Sequence, residues 1–232
     1  MRATIFYVAF IILLSFACSA KKKIIYLIRH GETDYQTEVF RLRGRINIPL
    51  NDIGIAHCKA AGDFLANENI GKIYYSSMPR AKKAADCIVE RHKTPVEMVE
   101  EPLVIDMSWG LFEGKTLLEA FGDKRGGLLK YNPELVVIPE GETFYAVMDR
   151  IRLFLVKFWE SDEDVCTIVS HGTITNLFSL MILQSPLEKF FTMYMSACGV
   201  SKIQMKSIYS FTVEYWNANH FLKEGEKKYL KK

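Results

Sequence analysis

Residues 23–31 read Lys-Ile-Ile-Tyr-Leu-Ile-Arg-His-Gly, an apolar run rich in β-branched and aromatic side chains that ends abruptly in polar residues. Residues 165–172 repeat this arrangement as Val-Cys-Thr-Ile-Val-Ser-His-Gly. A continuous apolar run without alternation is typical of a strand that is covered on both faces of a parallel sheet. The two runs therefore predict two buried strands, and each carries a histidine at its carboxyl end, His30 in the first and His171 in the second.

Helical and strand-like segments alternate along the rest of the chain. Helical spacing or capping signals appear at residues 51–67, 79–91, 139–158, 173–183 and 187–196, further strands at 72–76 and 96–100, and a terminal β pair at 200–206 and 210–216. Strands that alternate with helices predict an α/β fold with a largely parallel sheet. Ligands of such sheets bind beyond the carboxyl ends of the strands, where both histidines are expected.

The amino-acid composition is typical of a globular protein. Its 232 residues are 49% hydrophobic and 25% charged, which excludes a disordered tail and a disulfide-stapled miniprotein. The formal charge of +3 is spread along the chain and gives no reason to expect nucleic-acid binding.

The first twenty residues have the pattern of a targeting segment. Arg2 is followed by an apolar run over residues 3–20 and then by three lysines. This pattern fits a cleaved secretory signal, an uncleaved membrane anchor or, at Cys18, a lipoprotein attachment site. We therefore expect an exported or membrane-associated protein (periplasmic, lipoprotein or secreted) in which residues 1–20 are signal or anchor and residues 21–232 form a single domain.

Four cysteines remain outside that segment: Cys58, Cys87, Cys166 and Cys198. An exported protein could pair them, and the sequence gives no connectivity. We expect buried free thiols, since three of them lie in apolar patterned segments. No cysteine or histidine pair has the spacing of zinc ligands, so the sequence predicts no structural metal.

Residues 29–33, Arg-His-Gly-Glu-Thr, resemble the signature of the histidine phosphatase superfamily, the phosphoglycerate-mutase-like clan. Further motifs of that family follow in the same order, at residues 76–81, 103–114, 139–143, 170–172 and, more loosely, 217–222. The resemblance covers roughly residues 23–222. It implies a three-layer α/β/α sandwich with a mostly parallel central sheet and a phosphatase that needs no metal and no cofactor.

The resemblance also implies roles for particular residues. His30 is expected to be the nucleophile and to form a phosphohistidine, because neutral imidazole is nucleophilic near pH 7. Arg29 and Arg80 are expected to bind the phosphate through guanidinium groups that match its oxygens. His171 is expected to complete the pocket, and Asp106 to act as general acid and then as general base. Glu113 and Glu142 are the alternatives for that acid.

The loop after the first motif is expected to bind substrate. Gln36 stands where the family commonly has asparagine, and Arg43 and Gly44 lie on the same loop. Arg41, Arg43 and Arg45 together form either a solvated basic loop or a site for a second anionic group of the substrate.

Two features favour hydrolysis over phosphoryl transfer between metabolites. Asp106 is followed by Met107, whereas the mutase-like motif has arginine there, and the stretch over residues 114–139 is short for an enclosing cap. Water reaches an open site and favours hydrolysis. We expect a small phosphorylated metabolite as substrate, its class left open between sugar, glycerate, nucleotide-related and cobalamin-precursor phosphates, with phosphoproteins as a further candidate. The alternatives are a phosphoglycerate mutase and a membrane-tethered phosphate-binding module without turnover.

Overall fold

The computed structural model describes residues 21–34, 41–122 and 127–222. The predicted targeting segment, residues 1–20, and Gln36 lie outside these residues. Within the described ranges, no helix combines the length and the apolar character needed to cross a membrane. Export, membrane attachment and a role for Gln36 therefore stay predictions.

Six strands form one sheet. They are β1 (Lys23–Arg29), β2 (Lys72–Tyr75), β3 (Glu97–Glu100), β4 (Val165–Ser170), β5 (Val200–Ser207) and β6 (Ser210–Ala218). Their order across the sheet is β3-β2-β4-β1-β5-β6. The first four in this order run parallel, β5 is antiparallel to β1, and β6 is antiparallel to β5.

Helices cover both faces of this sheet. They are α1 (Asp52–Leu65), α2 (Pro79–Arg91), α3 (Leu117–Phe121), α4 (Gly127–Tyr131), α5 (Phe144–Glu160) and α6 (Gly172–Leu183). Side chains of β1 alternate between two separate apolar cores: Ile25 and Leu27 pack with α5 and α6, whereas Tyr26 and Ile28 pack with α1 and α2. The structure therefore has three layers, and the predicted α/β/α sandwich is confirmed.

The pairing of β1 with β4 positions the two histidines. Arg29 lies opposite Ser170 in the parallel register, and the His30 N–H donates to the Ser170 carbonyl at 2.8 Å. His171 follows immediately as the N-cap residue of α6. Both histidines thus lie directly after the carboxyl ends of two neighbouring strands.

The prediction of a helix near residues 187–196 is wrong. The structure has a single 3₁₀ turn, Leu187–Lys189, and irregular backbone after it. Polar partners elsewhere in the fold take the backbone groups that a helix would use: the Met195 carbonyl accepts from Arg29, and the Ser196 N–H donates to Asn217. Tertiary contacts have overridden local propensity here.

Helix α1 begins directly against the turn that follows β1. Asn51 caps the helix by accepting from the Gly54 N–H, and its side-chain amide donates to Glu32. A Cβ atom on Gly54 would lie 2.2 Å from the carbonyl oxygen of Glu32, and one on Gly31 would lie 2.4 Å from the carbonyl oxygen of Gly54. Only glycine permits this approach of helix to turn.

We predict that Gly54→Ala lowers the free energy of unfolding by about 2–3 kcal/mol, because backbone has to move to admit the methyl group. Gly71→Ala is the matched control, since a Cβ there would meet nothing within 4 Å. It should change stability by less than about 1 kcal/mol, with stabilisation the favoured direction. Denaturant titration of both variants measures the difference, and equal effects would contradict the packing described.

Candidate active site

Two buried imidazoles form the centre of the site. The ring centroids of His30 and His171 are 5.1 Å apart, and the rings make an angle of 61°. Both side chains are almost completely excluded from solvent. The sequence prediction that the two strand ends meet at one place is thus realised in the geometry.

His30 is held in one tautomer by its neighbour. Its Nδ1 lies 2.6 Å from the carbonyl oxygen of Gly31, which can only accept, so Nδ1 carries the proton. Nε2 therefore holds the lone pair, and it has no hydrogen-bond partner within the described part of the chain. Burial, followed by the positive charge of Arg80, lowers the pKa of His30 well below 6.5. The imidazole is neutral at physiological pH, as a nucleophile must be.

Three arginines surround these rings. Arg80, at the start of α2, is fully buried and donates to the carbonyls of Gly44 and Ile46. Arg29 donates to the Met195 carbonyl. Each of these two arginines keeps an Nε–H without a partner among the described residues. Those N–H groups are free to bind an anion.

Arg43 is the third arginine of the site. It is buried and donates to the Thr33 hydroxyl. Burial lowers the pKa of Arg43 to about 9, and the charge of Arg29 acts in the same direction. The group is still a cation at neutral pH, so the pocket concentrates three positive charges that suit a phosphate dianion.

Asp106 is the carboxylate that reaches this cluster. Its Oδ2 accepts from Arg80 at 2.9 Å and lies 3.5 Å from Nδ1 of His171. Burial raises the pKa of Asp106 above its ordinary value, although Arg80 and Arg43 oppose that shift. A raised pKa is what a carboxyl group needs in order to donate a proton to a leaving oxygen.

His171 is oriented by Ser76, whose part in the site the sequence did not single out. Nε2 of His171 lies 2.6 Å from the Ser76 hydroxyl, which also accepts from the Met78 N–H. The other ring nitrogen, Nδ1, has no hydrogen-bond partner among the described residues and lies on the side of Asp106. Burial and the charge of Arg80 lower the pKa of His171 well below 6.5.

The two alternative candidates for the general acid, Glu113 and Glu142, accept hydrogen bonds from backbone N–H groups instead. Glu113 accepts from the N–H groups of Arg45 and Trp109. Glu142 accepts from the N–H of Ser108 and pairs with Arg150. Both carboxylates thus fix the segment that carries Asp106.

Arg150 was missed by the sequence analysis. It extends from α5, donates to the carbonyl of Asp106 at 3.2 Å and to that of Leu103 at 2.8 Å, and pairs with Glu142. Helical spacing does not indicate this pair, because Glu142 precedes the N-cap of α5 and only Arg150 lies in the helix.

The three arginines of the predicted basic loop, Arg41, Arg43 and Arg45, bind different partners. Arg41 donates to the Gly114 carbonyl and pairs with Glu119, and Arg45 pairs with Glu142, so neither is a free cation at the rim. Gly44 has φ +50° and offers its carbonyl to Arg80. A Cβ on Gly44 would lie 2.2 Å from Glu113 Oε1. Of this loop, Arg43 is the residue whose charge lies inside the pocket.

Among the described residues, no group of three or more histidine, cysteine or acidic side chains converges in a way that could hold a metal ion. Independence from metals stays a prediction.

The family profile of the histidine phosphatase superfamily (branch 1) matches residues 25–219. The chain belongs to the histidine phosphatase superfamily. The match begins in β1 and ends just beyond β6, so it includes all of the side chains described above.

Individual relatives agree with this assignment. Probable fructose-2,6-bisphosphatase TIGAR A of Danio rerio is 33% identical over 142 residues, 58% of this chain and 52% of that protein. The chain thus spans about half the length of the first curated relatives it matches. Probable phosphoglycerate mutase GpmB of Yersinia pestis is 24% identical over 77% of this chain and 83% of its own length. The solved structure of mycobacterial hydrolase 2 has a TM-score of 0.74 at 20% identity, covering 90% of this chain and 97% of that one, and shows the shared fold.

The opposite pKa directions of His30 and Asp106 predict how activity depends on pH. His30 has to be neutral, and its lowered pKa keeps it so below pH 6.5. Asp106 has to be protonated, and its raised pKa extends that state above pH 3.8. We expect kcat/KM to be highest between these two pKa values and to fall as pH rises through the pKa of Asp106.

Asp106→Asn should remove that alkaline decline and lower kcat/KM for alkyl phosphates by about 10²–10⁴-fold, because an amide does not titrate or supply the proton. The exposed Glu134 provides the control: Glu134→Gln should keep the wild-type profile. Steady-state kinetics across the pH range measure both. An unchanged alkaline decline in Asp106→Asn would remove Asp106 from the role of general acid.

Proposed function

We propose that the protein is a phosphatase that hydrolyses phosphate monoesters through a phosphohistidine on His30. The observation that carries this proposal is the set of unpartnered polar atoms in one buried pocket. Among the described residues, four buried nitrogen atoms have no hydrogen-bond partner: His30 Nε2, His171 Nδ1 and the Nε atoms of Arg29 and Arg80. Such a pocket offers one nucleophile and several donors, the requirement for attack on a phosphoryl group.

Each residue has a step in this mechanism. Nε2 of His30 attacks phosphorus, and the P–O bond to the leaving group breaks as the P–N bond forms. The guanidinium groups and His171 stabilise the charge on the phosphoryl oxygens. Asp106 gives its proton to the leaving oxygen and then takes a proton from the water that attacks the phosphohistidine. Inorganic phosphate leaves, and His30 returns to its neutral state.

The surroundings of Asp106 support hydrolysis over transfer. Met107, at the place of the mutase arginine, is completely buried in the core that contains α5 and brings no charge to the site. In the described part of residues 114–139 the helical segments are α3, α4 and a 3₁₀ turn at Pro133–Leu135, and Leu129, Val136 and Ile138 pack into that same core. These three side chains therefore contribute to the core and not to a cover over the pocket.

Phosphoglycerate mutase activity is the second candidate, because the GpmB relative aligns with 77% of this chain. A phosphate-binding module without turnover is the third. The presence of both histidines together with Arg29 and Arg80 argues against loss of catalysis.

A small phosphorylated metabolite is the substrate class we propose. The Danio rerio relative is named a probable fructose-2,6-bisphosphatase, which makes sugar phosphates the first compounds to assay. Arg41 and Arg45 are engaged by carboxylates, so the pocket itself holds cations for one phosphate group.

The full chain should release inorganic phosphate from members of a panel of sugar phosphates and phosphoglycerates, and activity should persist in excess EDTA because arginines supply the positive charge. His30→Ala should reduce turnover by roughly 10⁴–10⁶-fold, since it removes the nucleophile. His220→Ala is the control, because that histidine is exposed and contacts only aromatic rings of Phe64 and Phe221 in the described structure.

Loss of activity in EDTA that a divalent ion restores would contradict the proposed mechanism. Isomerisation of phosphoglycerate without release of phosphate would favour the mutase. Phosphate binding without turnover of any compound would favour the binding module.

A further inference from the structure

Two cysteines lie beneath the turn that carries His30. Cys58 on α1 and Cys198, just before β5, place their Sγ atoms 3.0 Å apart, and both residues are fully buried. This separation is shorter than the van der Waals contact of two sulfur atoms, and a thiol is only a weak hydrogen-bond donor. The pair is therefore closer than two unbonded thiols prefer to lie.

The backbone holds both sulfur atoms in place. Cys198 has φ +54°, an uncommon value for a residue other than glycine, and its N–H donates to the carbonyl of Arg29 at 3.0 Å. On the other side, a Cβ on Gly31 would lie 2.8 Å from the Cys58 sulfur, so no empty space separates Cys58 from the turn. Both cysteines are thus in close contact with the backbone around His30.

The remaining described cysteines are placed differently. Cys87 belongs to the same apolar core as the pair, whereas Cys166 lies in the core on the opposite face of the sheet. Among the described cysteines, the recorded sulfur–sulfur contact is the one between Cys58 and Cys198, at 3.0 Å. The geometry thus selects one pair from the six combinations of four cysteines.

We propose that Cys58 and Cys198 form an intramolecular disulfide when the chain folds in an oxidising compartment. A thiolate of one cysteine attacks an external disulfide, R–S–S–R, and releases one R–SH after protonation. The second cysteine attacks the resulting mixed disulfide, forms the Cys58–Cys198 bond and releases the second R–SH. Two electrons and two protons pass from the protein to the external disulfide.

The bond is expected to form before the fold is complete. Complete burial hinders access of any exchange reagent, and burial also raises the pKa of the Cys198 thiol well above its usual range. Folded, reduced protein should therefore oxidise slowly, and the closed disulfide should resist added reductant until the protein unfolds. This behaviour is that of a structural bond rather than a switch. It also agrees with the export that the first twenty residues predict, since disulfides persist outside the reducing cytosol.

The expected consequence is stability. The two cysteines are 140 positions apart in sequence, so the bond closes a long loop and restricts the unfolded chain strongly. We expect the Tm of oxidised protein to exceed that of reduced protein by roughly 5–15 °C, given the usual effect of a disulfide in a chain of this size.

The test uses the full chain, unfolded in reductant and refolded in a mixture of reduced and oxidised glutathione. Alkylation of free thiols in denaturant, followed by proteolysis and mass spectrometry, should find one cross-linked peptide that joins Cys58 to Cys198, with Cys87 and Cys166 alkylated. Absence of this peptide, or a bond from Cys58 to Cys87, would overturn the proposal.

Variants connect the bond to the stability change. Cys198→Ala should abolish the Tm difference between oxidised and reduced samples, whereas Cys166→Ala, an equally buried control on the other face, should retain it. Should Cys198→Ala fail to fold, the peptide map and the Tm difference of the wild-type chain decide alone. None of these readouts depends on phosphatase activity, so failure here and failure of the proposed function are distinguishable.

Discussion

The site depends on the parallel pairing of β1 with β4. These strands are far apart in sequence, and their pairing places their carboxyl ends side by side. Arg29 lies opposite Ser170, and the next residue of each strand is a histidine. A slip of one residue would turn each histidine to the opposite face of the sheet. The two cores maintain the register, since successive side chains of β1 pack on opposite faces.

Desolvation then determines the chemistry of the groups that this register brings together. Burial favours the neutral forms of His30, His171 and Asp106, and the arginines add to this effect on the imidazoles. Among the described residues, the same environment leaves buried nitrogen atoms of both imidazoles and of Arg29 and Arg80 without hydrogen-bond partners, which is costly. A bound phosphoryl group would satisfy these atoms, so the proposed function turns their desolvation into affinity for the substrate and its transition state.

The sequence predicted the features that depend on local pattern. Apolar runs that end in His30 and His171 located both strand ends, and Asn51 indicated where α1 begins. Features that depend on tertiary contacts were not predicted. The helix near residues 187–196 does not form, because Arg29 binds the Met195 carbonyl. The support of Asp106 by Arg150, and the contact of Cys58 with Cys198, join segments whose approach no periodicity encodes.

The proposed mechanism requires that Nε2 of His30 receives the phosphoryl group, and a single measurement tests this directly. Its basis is the hydrogen bond from Nδ1 to the Gly31 carbonyl, which leaves only Nε2 able to attack. Rapid quenching of the full chain with substrate at alkaline pH, followed by phosphorus NMR and peptide mapping, identifies the modified atom. The account predicts acid-labile phosphohistidine substituted at Nε2 of His30. Phosphorylation at Nδ1, or on any other residue, would contradict it.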